Sequence, residues 1–266
     1  MLKAWLCVAL VFFAMLACGE IGRRIGARRL AADADGLAKG AGAAEAAVFG
    51  LLGLLIAFTF SGAASRFEDR RHLVTEEANA IGTAYLRLDL LPVDAQPGLR
   101  RLFRRYTQVR ASTYQDRGQS ASARFLAGEN QGAVGARLAE AAALQQAIWT
   151  RAIAALRRPG TPPAATVALV PALNAMIDIT TTRVMATRNH PPVVIFMLLL
   201  GLGLVGAMVV GYSTSANAKR DWFHPIVLAT ILSLTMYVIV DLEYPRLGLI
   251  QVDSDRLLVD LGNSMS

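Results

Sequence analysis

Lysine is scarce in this chain, at positions 3, 39 and 219 only, so nearly all of the positive charge behind its formal net +7 is arginine. Cysteine is scarcer still. Cys7 and Cys18 lie in one apolar stretch, about three helical turns apart, too far to bridge within a helix. The three histidines, His72, His190 and His224, have no metal-ligand spacing with acids, cysteines or one another. No period-two run is long enough to make a sheet, and there is no internal repeat, nucleophile elbow, phosphate loop or zinc-protease helix. These absences leave nothing in favour of an enzyme, a structural disulfide, a metal or a cofactor.

Apolar residues, by contrast, are abundant. They make up 54% of the 266 residues, with a mean hydropathy of +0.41, which predicts an all-α integral membrane protein with a sizeable polar segment. In such a chain the arginine excess speaks first of topology and lipid headgroups, and no nucleic-acid partner is expected.

The chain is organised around the stretch from Ala44 through the apolar block Val48 to Phe60 and on to Leu91-Pro92. It predicts one long helix, with membrane at its first half and water at its second. Beyond Phe67, the residues Val74, Ala78, Ile81, Tyr85 and Leu88 alternate four and three apart, a packing seam on one face. Before it, Leu2 to Cys18 predicts an uncleaved first span, because the positive charge follows it at Arg23, Arg24, Arg28 and Arg29 where a signal peptide would carry it in front. Leu30 to Gly42 is expected as a hairpin.

After the Pro92 to Pro97 break, apolar spacing predicts three helices. They cover Gly98 to Gln115, Ala133 to Arg158 and Ala164 to Arg188. Val193 to Tyr212 and Phe223 to Val240 are the third and fourth spans. The expected division is 1–65 for the first two spans, 66–190 for an extramembrane helical bundle continuing the second span, 191–244 for the last two spans, and 245–266 for a polar tail. Counting Arg23, Arg24, Arg28, Arg29, Lys39, Lys219 and Arg220 against Lys3, Arg246 and Arg256 places the hairpins in the cytoplasm of a bacterial inner membrane and the helical domain outside.

Several segments carry a resemblance. Phe60-Ser61-Gly62-Ala63-Ala64-Ser65-Arg66-Phe67, Glu76-Glu77-Ala78-Asn79-Ala80-Ile81-Gly82, Tyr85-Leu86-Arg87, Leu173-Asn174 with Met176-Ile177-Asp178, and Val240-Asp241-Leu242 with Pro245-Arg246 follow in order along nearly the whole chain. With them the sequence resembles a family of prokaryotic membrane proteins with a bestrophin-like domain. That resemblance implies four spans per subunit, a homo-oligomer (a pentamer if it follows bestrophins) and conduction of inorganic ions, anions in particular. In bestrophins the second span lines the pore; Phe58, Thr59 and Phe60 occupy the comparable place here, and Glu77 beyond them is a further pore-lining candidate. Bestrophins keep their large domain in the cytoplasm, opposite to the orientation that the hairpin arginines predict here.

Polar or ion-site candidates are Glu76, Asn79, Asn174, Asp178, Asp241 and Arg246. Each has a plainer reading beside it. Glu77, on the shoulder of the seam, is favoured as a partner for one of the many arginines. Asn79 suits an interhelical hydrogen bond. Asn174 and Asp178, four apart, suit a solvated face, and Asp241 with Glu243 at the end of the fourth span suits pairing with Arg246 or Arg66. The arginines at 100, 101, 104 and 105, with Phe103 and Tyr106 between them, fit either an anion vestibule or a solvated face. Gly201-Leu202-Gly203-Leu204-Val205-Gly206 spells a dinucleotide-binding pattern inside a span with no preceding strand, so these glycines are expected to serve helix packing. The alternative to a channel is a non-conducting membrane sensor or scaffold whose helical domain binds a partner or ligand.

Overall fold

A computed structural model of the chain describes residues 2–32, 41–119, 131–216, 222–244, 250 and 255–265. Every regular element among them is helical. In order these are α1 (Leu2–Ala32), α2 (Ala41–Leu86) extended by a 3₁₀ turn (Arg87–Leu90), α3 (Gln96–Gln119), α4 (Gln131–Leu156), α5 (Pro163–Arg188), α6 (Val193–Ser213), α7 (Phe223–Glu243) and α8 (Asp255–Ser264). Among the described residues, four helical stretches are long and apolar enough to cross a membrane: Trp5–Ala32 within α1, Glu45–Leu90 along α2 and its 3₁₀ turn, Pro163–Ala216 across α5 and α6, and Phe223–Glu243, which is α7. Prolines set several boundaries: Pro162 and Pro192 precede α5 and α6, where their fixed φ suits a helix start. Between α4 and α5 the chain turns at Gly160, whose φ of 85° is a left-handed value that other residues adopt at a cost.

The chain divides into two compact units, residues 1–65 with 190–249 and residues 66–189 with 250–266, so α2 contributes to both. In the first unit, α1 and α6 pack through glycines. A Cβ on Gly22 would lie 1.9 Å from the Met208 carbonyl oxygen, and one on Gly211 would lie 1.9 Å from that of Gly19. Gly26 also lies close against Tyr212 and Ser215, and Gly203 sits between the ends of Met15 and Met236. Lipid tails are as apolar as leucine, so span association depends on this close approach. Gly206 meets Val48 and Phe49 of α2, while Gly201 has nothing within 4 Å, so two of the three glycines in the false dinucleotide motif are packing residues.

The second unit has a water-driven core of large side chains. Ile81 and Leu88 of the α2 seam meet Leu99, Phe103 and Tyr106 of α3, Ile148 of α4, and Leu169, Leu173 and Met176 of α5, all 1% exposed or less. On α4 the inner face is largely alanine, Ala141, Ala152 and Ala155, where Leu138, Leu144 and Ile153 from the expected stripe are only half-buried.

Two expectations need correction. Arg23, Arg24, Arg28 and Arg29 lie within α1, not in the hairpin, because the tight glycine packing carries the helix on to Ala32. The last residues are not merely a polar tail. α8 is amphipathic and buries Leu258 in the core of the second unit, and Met265 just beyond it accepts a hydrogen bond at its carbonyl from the Tyr85 hydroxyl at 3.1 Å.

Candidate functional site

Helix periodicity decides which α2 side chains are available to a neighbour. Leu52, Ile56, Thr59 and Ala63 recur four, three and four apart and are buried or half-buried, so they form the face turned to the subunit's own helices. The opposite face carries Gly50, Leu54, Ala57, Phe58, Ser61 and Ser65, all exposed. Phe58, at 68% exposure, is therefore on the outer face. Thr59 is on the inner one, with its hydroxyl donating to the carbonyls of Leu55 at 2.8 Å and Ile56 at 3.1 Å. Phe60 is exposed on a flank, some 160° around the helix from Phe58 once the 100° step per residue is counted the short way. The three candidates at 58, 59 and 60 thus point in three directions, as consecutive helical residues must. Leu54, Ser61 and Ser65 share the face of Phe58. Sequence reading missed them because apolar and small residues inside a span carry no signal of which side they take.

Glu77 is not at any surface of the subunit. It is fully buried in the second unit, where Arg110 of α3 donates through Nε to its Oε1 at 2.5 Å and Arg183 of α5 donates to its Oε2. Burial alone would push the Glu77 carboxyl up, but the guanidiniums of Arg110 and Arg183 more than offset that and hold it below the ordinary carboxylate range. The salt-bridge reading describes its surroundings, and the pore-lining one is corrected, because two arginines from different helices enclose the group. Nearby, Arg70 also ties α2 to α5, donating to the carbonyls of Ala186 at 3.3 Å and Asn189 at 3.2 Å, where the last carbonyls of the helix have no intrahelical donor.

The remaining candidates are scattered. Glu76 is exposed and 3.2 Å from His72, and Asn79 is exposed one turn after Thr75. Asn174 and Asp178 share the solvent face of α5. Arg246 lies outside the described residues. Asp241 and Glu243 are both buried at the end of α7, and Glu243 Oε1 lies 3.0 Å from Nδ1 of His190, whose ring stacks on Tyr244. Of the arginine-rich face of α3, Arg100 pairs with Asp89 and Arg105 with Glu140 at 2.6 Å, while Phe103 and Tyr106 are buried and so do not interleave with them at the surface. Among the described residues, no three His, Cys, Asp or Glu side chains come together in a way that would hold a metal ion.

A family model described as Bestrophin-like domain matches residues 8–257. Among solved structures, the fold is similar to single-substitution forms of a bacterial bestrophin homologue from Klebsiella pneumoniae. One is 13% identical over 99% of each chain with a TM-score of 0.70. Another is 14% identical over 99% of this chain and 97% of that one, with a TM-score of 0.68. None of the curated proteins matches.

Proposed function

The chain belongs to the bestrophin-like domain family, and from that premise we propose that it is an ion channel, a closed homo-oligomer whose subunits turn the outer face of α2 to a shared axis. The observation that carries this reading is the make-up of that face. Leu54, Phe58, Ser61 and Ser65 recur four, three and four apart, exposed on the side of the helix opposite Leu52, Ile56, Thr59 and Ala63, which are buried or half-buried. Repeated around an axis, Leu54 and Phe58 form an apolar constriction and the serines a hydroxyl-lined stretch beside it. Such constrictions gate conduction by excluding water.

Likeness to bestrophins supports a pentamer and a preference for anions, and the arginines at the end of α1 support hairpins in the cytoplasm of a bacterial inner membrane with the helical domain outside. The test has two parts. The mass of the detergent-solubilised particle, corrected for bound detergent, is expected to be that of a closed ring, and the purified ring is expected to pass ions in liposomes. A monomer or dimer, or a ring with no flux, would overturn the reading.

A second reading, a sensor whose helical domain binds a small ligand, has one specific observation in its favour. A cleft of about 190 Å³ in the second unit is lined by Arg110, Gln145, Thr180 and Thr181 among apolar neighbours. A channel-inactive protein that bound a small solute with loss of binding in Thr181→Val would favour it.

A further inference from the structure

We infer that the outer face of α1 is a binding site for an anionic glycerophospholipid, with Arg24 and Arg28 on its phosphate. The inner face of α1 is settled by its packing: Met15, Gly19, Gly22 and Gly26 are buried, and Gly22 and Gly26 are pressed against the α6 backbone. Half a turn away lie Leu6, Leu10, Phe13, Ala17, Ile21, Arg24 and Arg28, spaced four, three, four, four, three and four apart. All are exposed, with Leu6 at 63%, Leu10 at 69%, Phe13 at 65% and Ile21 at 51%.

From Leu6 to Ile21 this apolar stripe rises about 22 Å, comparable to most of a hydrocarbon core, and the two guanidiniums follow on the same line within the next two turns. An acyl chain laid along the stripe thus brings its headgroup to the arginines. Glu20, at the edge of the face, bonds Arg24 at 2.9 Å and orients it; Arg28 forms no ion pair among the described residues. The level is also marked from the other side of the unit. Gly26 packs on Tyr212 and Ser215, just before the α6–α7 connection, and Trp222 at the start of α7 is half-exposed, as aromatic residues at the headgroup level are. A phosphodiester with no compensating cation of its own, as in phosphatidylglycerol, complements the pair; a zwitterionic choline headgroup carries its own cation.

Arg29 separates a built site from general attraction of basic residues to anionic membranes. It lies one residue beyond Arg28 but about 100° around the helix, off the stripe. The test is native mass spectrometry of the full-length protein titrated with dioleoyl phosphatidylglycerol or dioleoyl phosphatidylcholine. The wild-type protein is expected to retain phosphatidylglycerol preferentially, and Arg28→Ala to weaken that retention about fivefold, with a similar further loss in the Arg24→Ala, Arg28→Ala double variant. Arg29→Ala is expected to leave it nearly unchanged. Equal retention of both lipids by the wild-type protein would overturn the site whether or not any variant folds. So would equal losses from Arg28→Ala and Arg29→Ala, which would leave only net charge, and unchanged retention in the double variant, which would leave the face to a neighbouring subunit or to bulk lipid.

Discussion

The carboxylate of Glu77 and the guanidinium of Arg110, both closed off from water, meet at 2.5 Å between α2 and α3, and Arg183 completes the cluster from α5. Each helix of this set supplies one charge that is answered by a charge from another helix. Glu77→Gln leaves two buried guanidiniums facing a neutral amide, and removal of one member of a buried ionic group costs about 3–5 kcal/mol. A large fall in the thermal midpoint of the detergent-solubilised protein is expected, while Glu76→Gln, on the exposed side, stays near wild type.

The same cluster sets an acid limit. Glu77 has its folded pKa below the ordinary glutamate value of 4.5, so on acidification the unfolded chain takes up the proton first. Its contribution to stability is therefore complete above about 4.5 and is lost as pH falls through the lower folded value. Thermal midpoints of wild type and Glu77→Gln are expected to lie far apart at pH 7 and to converge well below pH 4.5; a constant gap would count against the charge as the cause.

Gly22 of α1 lies where a Cβ would enter the Met208 carbonyl, backbone that cannot move aside on its own. Gly22→Ala is expected to separate α1 from α6 and to lower the yield of folded, monodisperse protein sharply. Gly201→Ala, where nothing lies within 4 Å, is expected to be neutral or stabilising by up to about 1 kcal/mol, the helix-propensity difference. Size-exclusion profiles of the two variants make the comparison.

If the outer face of α2 encloses the conduction path, truncation at Phe58 widens it. Phe58→Ala is expected to raise ion flux in liposomes several-fold, and Thr59→Val, on the inner face, to leave it within about twofold. Flux that responds to Thr59 and not to Phe58 would place a different face at the axis.

Leu258 of α8 is fully buried in the second unit. Leu258→Ala is expected to destabilise that unit by about 2–5 kcal/mol, as other buried leucine truncations do. Protection of Thr107 and Tyr106 amides in hydrogen exchange is expected to fall with it, since Thr107 lies against Met265 and Gly262.

Much of the fold was legible in the sequence because hydrophobic periodicity is a local property. Val74, Ile81 and Leu88 recur along one face of α2, and Leu99, Phe103 and Tyr106 along one face of α3, and those are the faces that went inside. The prolines between 92 and 97 marked a helix break for an equally local reason, the fixed φ and missing N–H of the residue. The candidate site was legible in part. That α2 crosses the membrane and continues beyond it follows from its composition, but Phe58, Thr59 and Phe60 are alike in lying within a span, and nothing local says which of them faces a neighbour. Only the seating of Leu52, Ile56, Thr59 and Ala63 against the rest of the unit decided that Phe58 points away.

The sequence by itself determined where this chain leaves water, since about twenty apolar residues in succession suffice for a span and every such run can be read without its neighbours. It favoured as well a positive partner for Glu77, beside a packing seam, over a place on a pore. That the partners are Arg110 and Arg183, 33 and 106 residues away along the chain, was decided by tertiary structure alone. So was the return of α8 to the core beside Tyr85. Many arginines could have satisfied the carboxylate, and the choice among them depends on which helices stand side by side, a relation that no local pattern of residues contains.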